Sequence, residues 1–270
     1  MTPLILTVAP NGASKQKTDH PAVPLTAAEL AETAARCLDA GAAMIHLHVR
    51  DRDGRHLLDA DAYREATAAI RARVGQRIVI QTTSESGKRY AAPEQMRVIR
   101  AARPEACSAA IRELCPDPAS EPAAAEFFAW LRAERVMTQI IVYTPEELAR
   151  YRDLRARGVI PDGPWFLLFV LGRYTAGQTS DPRALLPFLA AHTGDEPWAL
   201  CAFGPQEAAC VQAAAALGGH ARVGFENNLS LPDGSIAAGN EALVANAAVG
   251  ARAVGRRLAT ADDVRALFRP

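Results

Sequence analysis

The stretch Leu25-Thr-Ala-Ala-Glu-Leu-Ala-Glu-Thr-Ala-Ala-Arg-Cys-Leu-Asp-Ala-Gly-Ala-Ala-Met-Ile-His-Leu-His-Val49 sets the repeating unit of the chain. Thr26 has the N-cap side chain of a helix over Ala27–Ala40, and Glu29, three residues on, completes a capping box. A short apolar run, Ala43–Val49, follows and reads as a strand. Another such run, Leu4–Ala9, precedes the helix. Strand, helix and strand in that order imply parallel pairing, because the helix is the crossover between two strands running the same way.

Working outward, the same alternation continues to the end of the chain. Further strands are predicted at Arg77–Thr82, Ala106–Ala110, Val136–Val142, Trp165–Val170, Trp198–Phe203 and Arg222–Phe225. Helices are predicted at Ala60–Arg73, Pro93–Ala102, Pro122–Glu134, Pro182–Ala191, Pro205–Leu217, Ala237–Ala253 and Ala261–Phe268. One more starts after Thr144, which caps it, with Pro145 at the first position and Glu147 at the third. Eight β-then-α units fit a (β/α)8 TIM barrel, an α/β fold of about 250 residues. An open doubly wound sheet would carry a G-x-G-x-x-G turn after its first strand. Here that turn reads Pro10-Asn-Gly-Ala13. No linker, repeat or low-complexity tract interrupts the pattern, so one domain over residues 1–270 is expected.

Composition narrows the function. The chain has 270 residues, with 30 Lys+Arg against 30 Asp+Glu, and no net charge. A nucleic-acid binder would carry a basic excess. The five cysteines, Cys37, Cys107, Cys115, Cys201 and Cys210, form no C-x-x-C pair. Neither a zinc ribbon nor a disulfide scaffold is expected, and a reducing cytoplasm is the expected setting. The N-terminus lacks a basic segment and is too short for a signal peptide, and no run reaches the roughly 18 apolar residues of a membrane span. The partners implied are small molecules, not nucleic acid or membrane.

A TIM barrel concentrates its chemistry at the C-terminal strand ends. The second strand ends in Met44-Ile-His-Leu-His-Val-Arg-Asp51. Side chains alternate along a strand, so His46 and His48 share a face at a spacing of about 6–7 Å. Such a pair suits either one metal ion or two hydrogen-bonded core residues, and a third ligand decides between them. The stretch Arg222-Val-Gly-Phe-Glu-Asn-Asn228 supplies one in Glu226. In a closed barrel the eighth strand neighbours the first and the first neighbours the second, so Glu226 can face both histidines. Two histidines and a carboxylate leave a coordination position open, as catalytic Zn²⁺ sites do. Arg222 has the parity of Glu226 and is expected to point inward, where it needs acceptors.

Other strand ends are polar too: Asn11 and Ser14, then Thr82, Thr83 and Ser84, then Ser108 with Arg112 and Glu113 beyond. The loop Gly172–Ser180 either offers backbone N–H groups to a phosphate or pantetheine or is an ordinary long turn. Asp51-Arg-Asp-Gly54 starts like a calcium loop but lacks the later acidic ligands, so it reads as a turn. His20, His56, His192 and His220 are expected in loops or at helix ends, in contact with solvent.

With these segments in place, the sequence resembles the β-keto acid cleavage enzymes, the family that includes the 3-keto-5-aminohexanoate cleavage enzyme. The resemblance is carried by Pro10–Ala13, His46–Asp51, Phe169-Val-Leu-Gly172 and Arg222–Asn228, and runs from Leu4 to Leu258-Ala-Thr-Ala261. It implies a homotetramer of (β/α)8 barrels with one Zn²⁺ per subunit, held by His46, His48 and Glu226. It also implies condensation of a β-keto acid with acetyl-CoA, CoA transfer, and retro-Claisen cleavage to acetoacetate and a new acyl-CoA. By the family pattern, Thr83 and Ser108 match hydroxyls that contact substrate, and Arg222 matches a catalytic arginine. Two positions depart from the pattern. Asn227 stands where the family often has an aspartate that pairs with the arginine for proton transfer, and an amide cannot accept a proton at neutral pH. Ser14 stands where the aminohexanoate enzyme has a glutamate suited to a substrate ammonium. A neutral or differently charged β-keto acid is therefore expected as the substrate. Two other readings remain open: a metal-dependent barrel hydrolase, and a metal- or ligand-binding homologue with little activity.

Overall fold

A computed structural model describes residues 2–268. Met1, Arg269 and Pro270 fall within the expected span of 1–270 but lie outside the described residues. Among the described residues the chain forms ten strands: β1 (Leu6–Val8), β2 (Met44–Leu47), β3 (Val49–Arg50), β4 (His56–Leu57), β5 (Val79–Thr82), β6 (Ala106–Ala110), β7 (Met137–Val142), β8 (Phe166–Leu171), β9 (Trp198–Ala202) and β10 (His220–Val223). Eight of them, all but β3 and β4, close a parallel barrel in which β1 pairs with both β2 and β10. The expected (β/α)8 barrel is therefore the fold.

The helices lie outside the strands. They include α1 (Ala27–Ala40), α2 (Ala60–Val74), α3 (Ala92–Ala102), α4 (Ile111–Leu114), α5 (Glu121–Ala133), α6 (Pro145–Ala156), α7 (Leu186–Ala191), α8 (Glu207–Ala216), α9 (Asn240–Ala253) and α10 (Ala261–Leu267). Thr26 caps α1 and forms the expected box with Glu29, and the Thr144 hydroxyl accepts the Glu147 N–H at the start of α6. No helix among the described residues is long and apolar enough to cross a membrane. All five cysteines are buried and free.

Alternation along the strands divides the core. Side chains such as Ile5, Met44, Val79, Met137, Phe166 and Leu168 fill the barrel interior. Their neighbours in sequence, such as Leu6, Ile45, Ile80 and Leu167, pack outward under the helices. Toward the C-terminal ends the interior turns polar: Thr7, His46, Gln81, Ser108, Gln139 and Arg222 are all buried.

Several boundaries differ from the sequence reading, each for a local reason. β2 stops at Leu47 because the Asn11 amide takes over the ladder: His48 N–H donates to Asn11 Oδ1, and Asn11 Nδ2 donates to the His48 carbonyl. The chain then leaves the barrel as a small antiparallel hairpin, β3 with β4. The last strand is His220–Val223 rather than Arg222–Phe225. Gly224, at φ +135°, breaks it, and a Cβ there would fall 2.4 Å from the Ala9 carbonyl. The predicted helix at Pro182–Ala191 divides into a 3₁₀ turn over Pro182–Leu185 and the short α7.

His220 is corrected by the same shift. It opens β10, is buried, and its Nδ1 accepts the Ile5 N–H at 2.9 Å. Burial, with Arg256 nearby, pushes its imidazole down to about 3. Below the unfolded value near 6.5 the unfolded chain binds a proton that the folded chain refuses. Stability is therefore full above that pH and falls as pH drops toward 3, by up to about 1.4 kcal/mol per unit. His220→Asn keeps an acceptor but cannot titrate. Urea unfolding between pH 6 and pH 4 should show a shallower loss for this variant by about 1 kcal/mol per unit; equal slopes would refute the assignment.

Candidate metal centre and active site

Three segments converge at the C-terminal mouth of the barrel. The first, β2, delivers His46 and, one step beyond its end, His48. The second is the turn after β1, where Gly12 at φ +55° leaves room for Glu226; a Cβ there would lie 2.5 Å from Glu226 Cγ. The third is the turn after β10, which carries Glu226 itself. That turn is held tightly: Glu226 N–H donates to the Ala9 carbonyl at 3.0 Å, and Phe225 N–H to Asn240 Oδ1 at 2.8 Å. Asn240 in turn donates to the Pro10 carbonyl. From α8, buried Glu207 accepts from the Gly224 N–H and from Asn228 Nδ2.

The result is a buried cluster in which one ligand atom each from His46, His48 and Glu226 lies within 4.8 Å of the others. His46 Nε2 is 3.7 Å and His48 Nε2 is 3.5 Å from Glu226 Oε2, and the two imidazole nitrogens are 3.1 Å apart. Glu226 Oε1 accepts from Arg222 Nη2 at 2.6 Å, while Oε2 is buried without a hydrogen-bond partner.

The electrostatics favour the forms that bind a cation. Burial opposes charge on all three groups. At Glu226 the Arg222 guanidinium and the histidines outweigh burial and hold the carboxyl well below its ordinary range. At His46 burial outweighs the pull of Glu226 and takes the ring down to about 4; His48 is lowered too, for the same reason. At neutral pH the site therefore holds two neutral imidazoles and one carboxylate, so no imidazolium has to lose its charge before a metal binds.

The outer nitrogen of His46 is also fixed. Its Nδ1 lies 2.7 Å from Gln81 Oε1, and Gln81 Nε2 donates to Gln139 Oε1 at 3.3 Å. An amide oxygen only accepts, so Nδ1 carries the hydrogen and Nε2 is bare. A bare ring nitrogen aimed at an unpartnered carboxylate oxygen in a buried site is the arrangement a divalent cation completes.

A sequence profile described as beta-keto acid cleavage enzyme matches residues 3–269. The chain belongs to the β-keto acid cleavage enzyme family. Among its relatives is a 3-oxoadipate:acetyl-CoA acetyltransferase of Cupriavidus necator, 28% identical, with 98% of this chain and 94% of that protein aligned. A 3-keto-5-aminohexanoate cleavage enzyme of Fusobacterium nucleatum is 29% identical, covering 99% of this chain and 98% of its own length. Among solved structures, ObcA in a ternary complex with a C4-CoA adduct and oxalate superposes with a TM-score of 0.72 at 18% identity, over 92% of this chain and 67% of that one. That last likeness shows the barrel fold.

Against this β-keto acid cleavage enzyme barrel the remaining predicted residues separate. Thr83 is buried and lines a narrow cavity of about 20 Å³ together with His46, Glu85, Tyr143, Arg222 and Glu226. Its hydroxyl accepts the Glu85 N–H at 2.9 Å. Ser108 is buried on β6 with its hydroxyl unpartnered. Asn227 is buried, and neither amide atom has a partner, so it makes no hydrogen bond to Arg222. Ser14 is solvent-exposed on the turn after β1. In the Gly172–Ser180 loop the Thr175 hydroxyl bonds the Gly172 and Thr179 backbone and Ser180 Oγ donates to the Phe203 carbonyl. Arg173, within the same loop, reaches out to the cavity that Thr83 lines.

Sequence reasoning missed Gln81, Gln139, Glu85, Arg173 and His56. Glu85 follows β5, with Oε2 3.7 Å from His48 Nε2 and Oε1 3.8 Å from Arg173. Burial, with Glu226 close by, raises its carboxyl to about 7. The signal for Gln81 was available, since it is the inward residue of Val79-Ile-Gln-Thr82. Of the four histidines expected in contact with solvent, His20, His56 and His220 are buried, and His192 is half-buried with Nε2 bonded to the Glu196 carbonyl.

Proposed function

We propose that the chain condenses a β-keto acid with acetyl-CoA and cleaves the adduct to acetoacetate and a new acyl-CoA, using Zn²⁺ held by His46, His48 and Glu226. One observation carries the metal part: Glu226 Oε2 is buried without a partner and faces two imidazoles that burial keeps neutral. A bound cation there supplies polarisation of the keto carbonyl and offsets the enolate charge that develops on cleavage.

The chain's own residues divide the remaining work. Arg222 holds Glu226 ionised and keeps a positive charge beside the reacting carbonyl. Thr83 and Ser108 offer hydroxyls for the substrate oxygens, and the Ser108 hydroxyl has no competing protein partner. Asn227 has both amide atoms free, so it can bind an oxygen or an N–H of the substrate but cannot act as the base. The cavity lining includes Ile141, Val170 and Phe203, which shield the reacting centre from water. Ser14 brings no charge for a substrate ammonium, so the favoured acid is neutral or differently charged. A cytoplasmic homotetramer completes this reading.

The test is a panel of β-keto acids incubated with acetyl-CoA and Zn-loaded protein, read by mass spectrometry. The expected result is acetoacetate plus the matching acyl-CoA, with a higher kcat/KM for a neutral acid than for 3-keto-5-aminohexanoate. A clear preference for the amino acid substrate would overturn the specificity. Bound Zn²⁺ with no CoA-dependent turnover on any acid would overturn the activity.

A further inference from the structure

His46 is fixed by an amide, but His48 is fixed by another imidazole. We infer that His56 is a positioning residue, which locks His48 in the tautomer whose Nε2 is bare toward Glu226. The inference deepens the proposed metal site and rests on it for its functional meaning, though not for the hydrogen positions themselves.

The deduction starts at an atom with only one possible role. His56 Nε2 lies 2.8 Å from the backbone carbonyl of Glu85. A carbonyl oxygen only accepts, so Nε2 carries the hydrogen. A neutral imidazole protonated at Nε2 is bare at Nδ1. That bare atom is 3.4 Å from His48 Nδ1. It accepts a hydrogen carried by His48 Nδ1, and with the hydrogen there the other nitrogen, Nε2, is left bare. This Nε2 is the atom 3.5 Å from Glu226 Oε2 and 3.1 Å from His46 Nε2, which is bare as well, so three lone-pair atoms face one another and only a cation among them relieves the repulsion.

Without His56 the preference would reverse. A hydrogen on His48 Nε2 could be donated to the bare His46 Nε2 at 3.1 Å or to the ionised Glu226 Oε2 at 3.5 Å, where a charge-assisted bond is strong. The same hydrogen would occupy the direction in which a cation binds. His56 thus prevents a self-satisfied, metal-refusing arrangement of the site.

The local fold serves this one ring. The hairpin after β2 turns at Asp51–Gly54, where Asp51 Oδ1 accepts from the Asp53 and Arg55 N–H groups. It returns the chain so that His56 pairs with Arg50 and its ring lies 5.1 Å from that of His48. Tyr90 packs edge-on against the ring, and Arg89 Nη1 donates to the His56 carbonyl at 2.7 Å. Thus the segment that imitates the start of a calcium loop is the device that brings in a third histidine.

The experiment uses the full chain with ¹⁵N-labelled histidine, in long-range ¹H–¹⁵N spectra of metal-free and Zn-loaded protein, with His48 assigned by His48→Gln. Zn²⁺ affinity is read by competition with a chromophoric chelator. In the metal-free protein His48 should appear as the Nδ1–H tautomer. His56→Phe should convert it to Nε2–H and weaken Zn²⁺ binding by about 10–100-fold. His56→Asn, which keeps an acceptor oxygen near the place of Nδ1, should restore the tautomer and most of the affinity. An Nε2–H tautomer in the unaltered protein overturns the inference, as does His56→Phe with tautomer and affinity both unchanged. If His56→Phe does not fold, the spectra of the unaltered protein and of His56→Asn decide. If the unaltered protein takes up no Zn²⁺, the metal site falls, and the metal-free spectra still test the tautomer.

Discussion

His46→Ala should leave the protein without stoichiometric Zn²⁺ and lower CoA-dependent kcat/KM by about 10³-fold or more. The magnitude follows from what the cation is asked to do. Polarising a carbonyl and offsetting enolate charge contributes several kcal/mol, and each 1.4 kcal/mol is about tenfold in rate. Two ligands, His48 and Glu226, cannot hold the ion as three do. Their ligand atoms lie 3.5 Å apart, with Glu226 Oε1 already bonded to Arg222. The variant should also lose stability by about 1–3 kcal/mol, because the buried Gln81 Oε1 is left without its donor. Metal content by mass spectrometry and kcat/KM on the best acid of the panel read the two effects separately. A variant with full Zn²⁺ and unchanged turnover would show that the cluster is structural.

The parts of this site that a sequence displays are those with a period or a cap. Eight alternations of strand and helix, with the Thr26 and Thr144 caps, require only local rules, and seven of the eight barrel strands lie on the predicted apolar runs, while β10 begins two residues before its own. The H-x-H parity of His46 and His48 is likewise a property of one strand. What escaped the sequence is what depends on a junction between segments. His56 sits in a two-residue strand whose neighbours read as a turn, and its meaning depends on Glu85, 29 residues away in sequence. Gln81 and Gln139 come from different strands and meet only inside the closed barrel. The end of β10 was misplaced because Phe225 prolongs an apolar run, whereas Gly224 had already turned the chain. That turn, not a strand end, is what presents Glu226. Asn11 looked like one more polar strand end, but it bonds both backbone groups of His48.

Arg222→Met should lower the stability of the metal-free protein by about 3–5 kcal/mol, the usual cost of stranding one member of a buried ion pair. Arg222 is buried inside the barrel with Glu226 Oε1 2.6 Å from its Nη2, and among the described residues Glu226 has no other arginine or lysine in hydrogen-bond contact. Without Arg222 the carboxylate must stay buried and unpaired or take up a proton. Either way the site pays a desolvation cost that the guanidinium now offsets. Two comparisons separate this electrostatic account from simple loss of packing. Saturating Zn²⁺ should restore more stability to Arg222→Met than its binding gives the unaltered protein, because the ion replaces the missing charge. The double variant Arg222→Met with Glu226→Gln should be more stable than Arg222→Met alone, since no charge is then stranded. Turnover of the Zn-saturated single variant should still be down by about 10²–10³-fold, the usual loss when one preorganised charge beside a developing oxyanion is removed. If the double variant is no more stable than the single one, Arg222 acts by its volume, and its place beside Glu226 has no electrostatic meaning.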